Sequence, residues 1–383
     1  MCRVMKDPQD SQKINVVHLA PVPEERSWFQ GLLIHLDQKG FFQSIVSVSN
    51  SDVDFEQIFP FQIRKYKSEN RIFVIRLLIA LILIKKNLKR NYKNVVLAQG
   101  HRESTISYIA SKLFGLDYIL IHHMQPGYFN LFKSKKPVSS FVHKLFHELY
   151  AKNAIAVQSL SLDVSHYLEG LGVSKSRIME IPHGVDFDKI QHQFFASNTF
   201  ESREFLRVLM VGRLSPEKNY EIAVKSFAQF LDHFPNALLT IAGEGPCRGD
   251  ITNLINELGI SSSVELLGFK SDIISLMRNS DALLHVAATE SYGRVYLEAL
   301  ICDLPVFTPK IGITLDLESI SRGKIIFLQD SSPDEISKKL VDYFGRNTEQ
   351  KKSTMPEFRN YRAHDQEEVF KRIAVFLSEV LNK

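Results

Sequence analysis

Short β-branched runs alternate with longer stretches of helical period along most of the 383-residue chain. In the first half the strand-like runs are Ile14–Leu19, Ser44–Val48, Val95–Ala98, Tyr118–Ile121 and Ala154–Val157. Between them, apolar residues recurring at three- and four-residue spacing predict helices near Trp28–Gln38, Ile72–Lys89, Thr105–Phe114, Ser139–Lys152 and Ser161–Glu169. The second half repeats the alternation. Its strands are expected at Leu206–Val211, Ala237–Ala242, Val264–Leu266, Ala282–His285, Val306–Thr308 and Ile325–Phe327. Its helices are expected near Pro216–Phe234, Gly249–Leu258, Ile273–Ser280, Arg294–Ile301 and Pro333–Phe344.

Such alternation specifies parallel sheets covered by helices on both faces, with ligands bound beyond the carboxyl ends of the strands. Two runs predict an α/β protein of two doubly wound, Rossmann-like lobes, and the length is too great for one ordinary core. The polar stretch Asp186–Glu204 has the composition of an interdomain linker. The last segment, Arg359–Leu381, is amphipathic and charged, and no strand follows it.

Composition refines this picture only slightly. At 44% hydrophobic and 23% charged residues the chain is globular rather than disordered. The net charge of +4 is unevenly spread: residues 1–200 carry 25 Lys and Arg against 17 Asp and Glu, the remainder 22 against 26. A basic first half suits an anionic surface, either a membrane face or a phosphorylated acceptor; a solvated surface of mixed charge is the alternative. Cys2, Cys247 and Cys302 have no metal-ligand spacing, and their odd number fits a reducing compartment. Met1 to Lys13 lacks the apolar core of a signal peptide. The most apolar stretch, Ile72–Ile84, is interrupted by Arg76 and falls short of the roughly 20 residues of a spanning helix. The expectation is a cytoplasmic protein, docked at most peripherally on the inner face of a membrane.

The chemistry gathers in the second half. Gly212-Arg213-Leu214-Ser215-Pro216-Glu217-Lys218 follows a buried strand, with Ser215 a good N-cap and Pro216 suited to the first helical position. Lys218 is then expected in the first helical turn, where the helix dipole disfavours a cation unless an anion sits between it and Arg213. Arg clasps two oxygens and Lys supplies a point charge, a pairing that suits a diphosphate; a surface pair of no consequence is the alternative. Further on, Glu290-Ser291-Tyr292-Gly293-Arg294-Val295-Tyr296-Leu297-Glu298 places one carboxylate in a loop and a second about a turn inside a helix. Both could accept hydrogen bonds from ligand hydroxyls, while Gly293 lets a ligand approach the free backbone amides of the helix start. Gly243-Glu244-Gly245-Pro246 borders the same crevice, but its spacing is wrong for a dinucleotide fingerprint.

In order and spacing, these segments resemble the retaining glycosyltransferases of family 4, which have the two-lobed GT-B fold with an interlobe cleft. Pro182-His183-Gly184-Val185-Asp186 resembles that family's segment before the interlobe linker, with His183 where Asn is usual. The likeness covers about residues 180–310, and the first half matches in architecture only. It implies a first lobe over residues 1–195, completed by a crossing-back helix within 359–383, and a nucleotide-sugar lobe over 196–358. It also implies that Arg213 and Lys218 hold the donor diphosphate and stabilise the leaving group. Glu298 would accept from the ribose, Glu290 would contact the donor sugar, and Gly243, Gly245, Gly293, Arg294 and Val295 would border the donor. His123, and less directly His101 and His122, are the acceptor-side candidates at strand ends of the first lobe.

The resemblance implies no metal or other cofactor, a nucleotide-diphosphate-sugar donor and a saccharide or lipid-linked acceptor. No nucleic acid is expected as a partner. Lys85, Lys86, Lys89, Arg90 and Lys93 beside the apolar helix, with Lys133, Lys135 and Lys136, motivate docking on an anionic membrane. Three departures stand out. Ala20–Trp28 lacks the paired glycines of the family's first loop, Lys310-Ile311-Gly312-Ile313-Thr314 lacks a Glu, and Ala287-Ala288-Thr289 replaces a Pro-Ser pair. They leave open a non-catalytic nucleotide-sugar-binding subunit, and a GT-B epimerase is a further alternative.

Overall fold

The computed structural model describes residues 13–19, 27–49, 62–67, 73–121, 137–196, 205–346 and 355–381. Thirteen strands form among them: β1 Ile14–Leu19, β2 Phe42–Ser49, β3 Gln62–Lys67, β4 Lys93–Gln99, β5 Asp117–Ile121, β6 Ala156–Ser159, β7 Ile178–Glu180, β8 Arg207–Val211, β9 Leu238–Ala242, β10 Val264–Gly268, β11 Ala282–Leu284, β12 Val306–Thr308 and β13 Ile325–Phe327. They make two wholly parallel sheets, β3-β2-β1-β4-β5-β6-β7 and β10-β9-β8-β11-β12-β13. In each, the chain runs outward from a central strand, then returns to that strand's other side. The switch points lie between β1 and β4 and between β8 and β11, where crossovers on opposite faces open a crevice at the strands' carboxyl ends.

Period-two alternation explains why both faces are covered. Val16, Val95, Leu97, Ile119 and Ile121 enter one core of the first lobe, and Val17, Leu19, Val96, Ala98 and Leu120 enter the other. In the second sheet Val208 and Met210 pack on one face, Leu209 and Leu283 on the other. The final helix, Gln366–Leu381, returns to the first lobe. Its Val369, Phe370, Ile373, Leu377 and Leu381 join the core of Leu32, Leu33, Leu36 and Val16. Gly31 makes room for this, since a Cβ there would lie 2.5 Å from the Phe370 ring.

Three expectations need correction. The sequence pattern omits β3 and β7. β3 is the charged edge strand Gln-Ile-Arg-Lys-Tyr-Lys, and β7 has three residues, so neither offers the alternation of a half-buried strand. β6 begins two residues later than expected because the preceding helix persists to Asn153. The first part of the expected linker is a helix, Phe187–Ala196, whose Ile190 and Phe194 are buried against Ile274 and Met277; residues 197–204 lie outside the described residues.

The Gln366–Leu381 helix should be a principal tie of the first lobe. Phe370→Ala removes a fully buried ring and is expected to lower the unfolding free energy by about 3–5 kcal/mol, read from urea denaturation of the full chain.

Candidate active site

The second switch point carries the chemistry. β8 leads into Gly212, the exposed Arg213, buried Leu214 and Ser215, and a 3₁₀ turn over Pro216–Lys218. The α-helix begins only at Tyr220, because Asn219 adopts a left-handed conformation (φ 53°) and breaks the helix expected from Pro216. The break is held by the Asn219 side-chain amide, which donates to the Val286 carbonyl at 3.0 Å. Ser215 makes no side-chain cap; its hydroxyl donates to Glu217 Oε1 at 2.6 Å. Lys218 therefore sits ahead of the helix rather than in its first turn, turned toward the neighbouring strand's loop.

That loop follows β11. The Ala288 N–H donates to the Glu217 carbonyl at 2.8 Å, and Lys218 Nζ donates to Glu290 Oε2 at 2.5 Å. Both side chains are largely buried, 14% and 10% exposed, so each charge depends on the other. Burial alone would push the Glu290 carboxyl up. The adjoining His285 imidazole and the Lys218 ammonium more than reverse this and hold it at about 2. We attribute the reversal chiefly to Lys218, because His285 Nε2 lies 3.8 Å from Glu290 Oε2, outside hydrogen-bond reach, and has no hydrogen-bond partner among the described residues. Burial also pushes the His285 imidazole down, so this ring stands neutral behind the ion pair. Pattern reading missed His285 as a site residue, although it falls just beyond a strand end, where such folds collect ligand-facing groups.

Glycines let the loops close on each other. Gly243 lies at the end of β9 against β8, and a Cβ there would stand 1.8 Å from the Gly212 carbonyl oxygen. A Cβ on Gly245 would stand 2.4 Å from the Leu214 carbonyl oxygen, while the Leu214 N–H donates to Glu244. The close approach required of these two glycines is thus backbone against backbone, which secures the loop of Arg213. Gly293 has φ 77° and starts the helix Arg294–Ile301; a Cβ would strike the Tyr296 ring and come within 3.0 Å of Glu290 Cγ. The N–H groups of Arg294 and Val295, in the first turn, have no hydrogen-bond partner among the described residues. The Val295 side chain packs into the core, so only its backbone is available.

Glu298 is buried in that helix, 3.6 Å from the exposed Arg294 guanidinium. Burial pushes its carboxyl up, and Arg294 and Lys189 only partly oppose this. A buried carboxylate with so weak a partner is poised to accept ligand hydroxyls. In the first lobe, His101 begins the helix His101–Phe114 at the end of β4, with Nδ1 2.7 Å from the Tyr150 hydroxyl. His122 and His123 lie outside the described residues, as does the glycine-free loop over 20–26. The structure thus brings Lys218, Glu290 and Gly293 together, with Arg213 on the same loop as Lys218 and Glu298 on the helix that Gly293 starts.

Two doubly wound lobes, each with a switch-point crevice at the carboxyl ends of its strands, define the GT-B fold. Residues 191–353 match the family model described as glycosyl transferases group 1. Among curated relatives, the UDP-Gal:alpha-D-GlcNAc-diphosphoundecaprenol alpha-1,3-galactosyltransferase of Escherichia coli is 25% identical over 251 residues, 63% of this chain and 64% of the relative. Alpha-monoglucosyldiacylglycerol synthase of Acholeplasma laidlawii is 31% identical over 137 residues, 33% and 34% of the two chains. In both cases less than two thirds of the relative's own length is spanned. The fold likeness runs further. The lipopolysaccharide outer core galactosyltransferase WaaB superposes with TM-score 0.71 at 15% identity, covering 95% of this chain and 99% of that one. HepE of Anabaena, in complex with UDP-glucose, gives TM-score 0.70 at 18% identity, covering 96% and 100%.

The ion pair sets a pH signature. Glu290 is held below its unfolded value near 4.5, so it contributes stability that is fully present above that pH and is lost as pH falls through about 2. Glu290→Gln should cost about 1–3 kcal/mol at pH 7. Stability curves should also show a shallower loss between pH 4.5 and 2 for this variant than for the wild type.

Proposed function

We propose that the chain is a retaining glycosyltransferase of family 4. It moves a sugar from a nucleotide-diphosphate-sugar donor to a saccharide or lipid-linked acceptor in the synthesis of cell-surface polysaccharide or glycoconjugate. The observation that carries this reading is the Lys218–Glu290 pair at the β8/β11 switch point, with Arg213, Glu298 and the free amides of Arg294 and Val295 on the loop and helix beside it. An ammonium has three donors, so Lys218 can keep Glu290 while also donating to a phosphate oxygen.

In the transfer, the bond from the anomeric carbon to the diphosphate oxygen breaks, and the leaving nucleoside diphosphate takes the electron pair. Arg213 and Lys218 stabilise the charge that develops there, the electrostatic contribution that usually dominates. The acceptor hydroxyl oxygen bonds to the anomeric carbon on the same face of the sugar that the diphosphate leaves, and passes its proton to the departing diphosphate oxygen. Glu290 fixes the donor sugar, and Glu298 accepts from the ribose. These protein cations supply the positive charge, and no metal is invoked. His123 and His101 are proposed on the acceptor side. The named activities of the relatives, acting on a diphosphoundecaprenol-linked sugar or forming a glucosyldiacylglycerol, support a lipid-linked acceptor.

A specific surface supports peripheral docking on an anionic membrane. Helices Phe73–Asn87, His101–Phe114 and Pro137–Asn153 cover one face of the first sheet. They leave Leu78, Ile82, Leu113, Phe141 (68% exposed) and Leu145 in solvent, interspersed with exposed Lys85, Lys86, Lys112 and Lys144. No helix among the described residues is long and apolar enough to cross a membrane.

Donor turnover tests the main reading. Nucleotide sugars that raise the thermal midpoint should be hydrolysed or transferred without loss of rate in EDTA, and Lys218→Ala should lower turnover by about 10²-fold. Tight nucleotide binding without turnover would instead indicate a non-catalytic subunit, and epimerised free donor an epimerase. For docking, vesicles containing phosphatidylglycerol should bind the wild type at low salt, and Phe141→Ser with Leu145→Ser should abolish this; indifference of the wild type to the vesicles would remove the docking surface.

A further inference from the structure

The two lobes meet through an exchange of caps. Ser161 starts the helix Leu162–Gly170: its Oγ accepts from the Val164 N–H at 3.3 Å and donates to the Ser291 carbonyl of the second lobe at 3.0 Å. The next N–H, of Leu162, donates to the Asp316 carboxylate at 3.2 and 3.4 Å. In return, Asp163 Oδ2 accepts from the Gly312 N–H of the second lobe at 3.2 Å. Each lobe thus lends a carboxylate to a turn of the other.

What this contact touches adjoins Glu290. Ser291 is the next residue, and its carbonyl is held from the first lobe. Gly312 (φ 55°) lies against Glu290 itself, where a Cβ would come within 3.2 Å of Glu290 Cγ. The adjoining Ile313 N–H donates to the Tyr292 carbonyl at 3.2 Å. The loop of Glu290 is therefore gripped at one end by Lys218 and at the other by the junction between lobes. This departure from the expected loop, Lys310 to Thr314, is where the first lobe reaches the donor site.

Stability alone does not account for two carboxylates here. Burial pushes both up, Asp316 to about 6, with Glu180 and Asp163 adding to the rise and the Leu162 N–H opposing it. For Asp163, the Gly312 N–H and His166 oppose the same effect of burial. Charged groups that remain in such a place despite their desolvation cost are more economically explained by the geometry they impose.

We propose that Asp163 and Asp316 are positioning residues, which hold the Glu290 loop in register by locking the first lobe onto it. The inference rests on Glu290 acting in the donor site, and it makes orientation of the lobes a determinant of donor-sugar placement rather than of nucleotide binding.

Amide hydrogen exchange on the full chain, with UDP titration and donor turnover, tests this. Asp163→Ala and Asp316→Ala should each raise exchange over residues 288–293 by about tenfold. Affinity for UDP should stay within about twofold, while kcat falls about tenfold with little change in donor KM. Asp163→Asn and Asp316→Asn keep an acceptor oxygen and should restore protection to within about threefold of wild type. Unchanged exchange over 288–293 in folded alanine variants overturns the proposal. So does a loss of protection spread evenly over the second lobe with UDP affinity falling in parallel, which a merely structural role would produce. Should an alanine variant not fold, Asp316→Ser, too short to reach Leu162, serves the same comparison. The exchange readout needs no turnover, so a wild type lacking transferase activity would remove the proposed function while leaving the lock itself measurable.

Discussion

The second lobe is organised around one buried ion pair at a topological switch point. β8 and β11 lie side by side but send their crossovers to opposite faces of the sheet, so the loops leaving them have no helix packed between them. Lys218 closes that gap by reaching from one loop to Glu290 on the other. Neither charge could stand so buried without its partner, and the backbone bond from Ala288 to Glu217 and the Asn219 amide on Val286 fix the loops at the matching separation. The glycines nearby serve this closure. Gly212, Gly243 and Gly245 bring the backbones of the loops after β8 and β9 into contact, and Gly293 turns the chain so that the helix of Glu298 starts beside Glu290.

This closure sets the chemistry of the site. Lys218 keeps two ammonium hydrogens for an anion, Glu290 stays ionised, and His285 stands neutral behind them. Glu298 has no comparable partner, and its burial is offset only weakly by Arg294 and Lys189. The switch point thus holds one carboxylate paired with an ammonium, Glu290, and one with only a weak partner further along the helix, Glu298.

The lobes are not independent bodies joined by a flexible tether. Residues 187–196 of the connection form a packed helix, and Val185 pairs with the chain at His364 to Gln366 just before the last helix returns to the first core. Gly184 permits that crossing, since a Cβ would meet the Gln366 backbone at 2.9 Å. Tyr292, between the two, has its hydroxyl 3.3 Å from His364 Nδ1 and its ring against His183. The loop bearing Glu290 is consequently bordered by residues from five distant stretches of sequence, at Ser161, His183, Lys218, Gly312 and His364.

Much of this was legible along the chain. Short β-branched apolar runs separated by helical stretches determined two parallel sheets, because buried central strands must be apolar on both faces. Placed after strand ends, Arg213, Lys218, Glu290 and Glu298 pointed to the second switch point, because parallel sheets leave ligand space at the carboxyl ends of their strands. Edge strand β3 and the three-residue β7 were not legible, since their residues answer to pairing rather than to burial. Tertiary structure alone decided that Asn219 would break the helix and free Lys218 to meet Glu290, 72 residues away. It also decided that Gly243 and Gly245 face backbone, that His285 is a buried neutral neighbour, and that Asp163 and Asp316 exchange caps between lobes. Local periodicity records which side of an element is buried, but partners across a switch point or a lobe boundary are chosen only when distant loops converge.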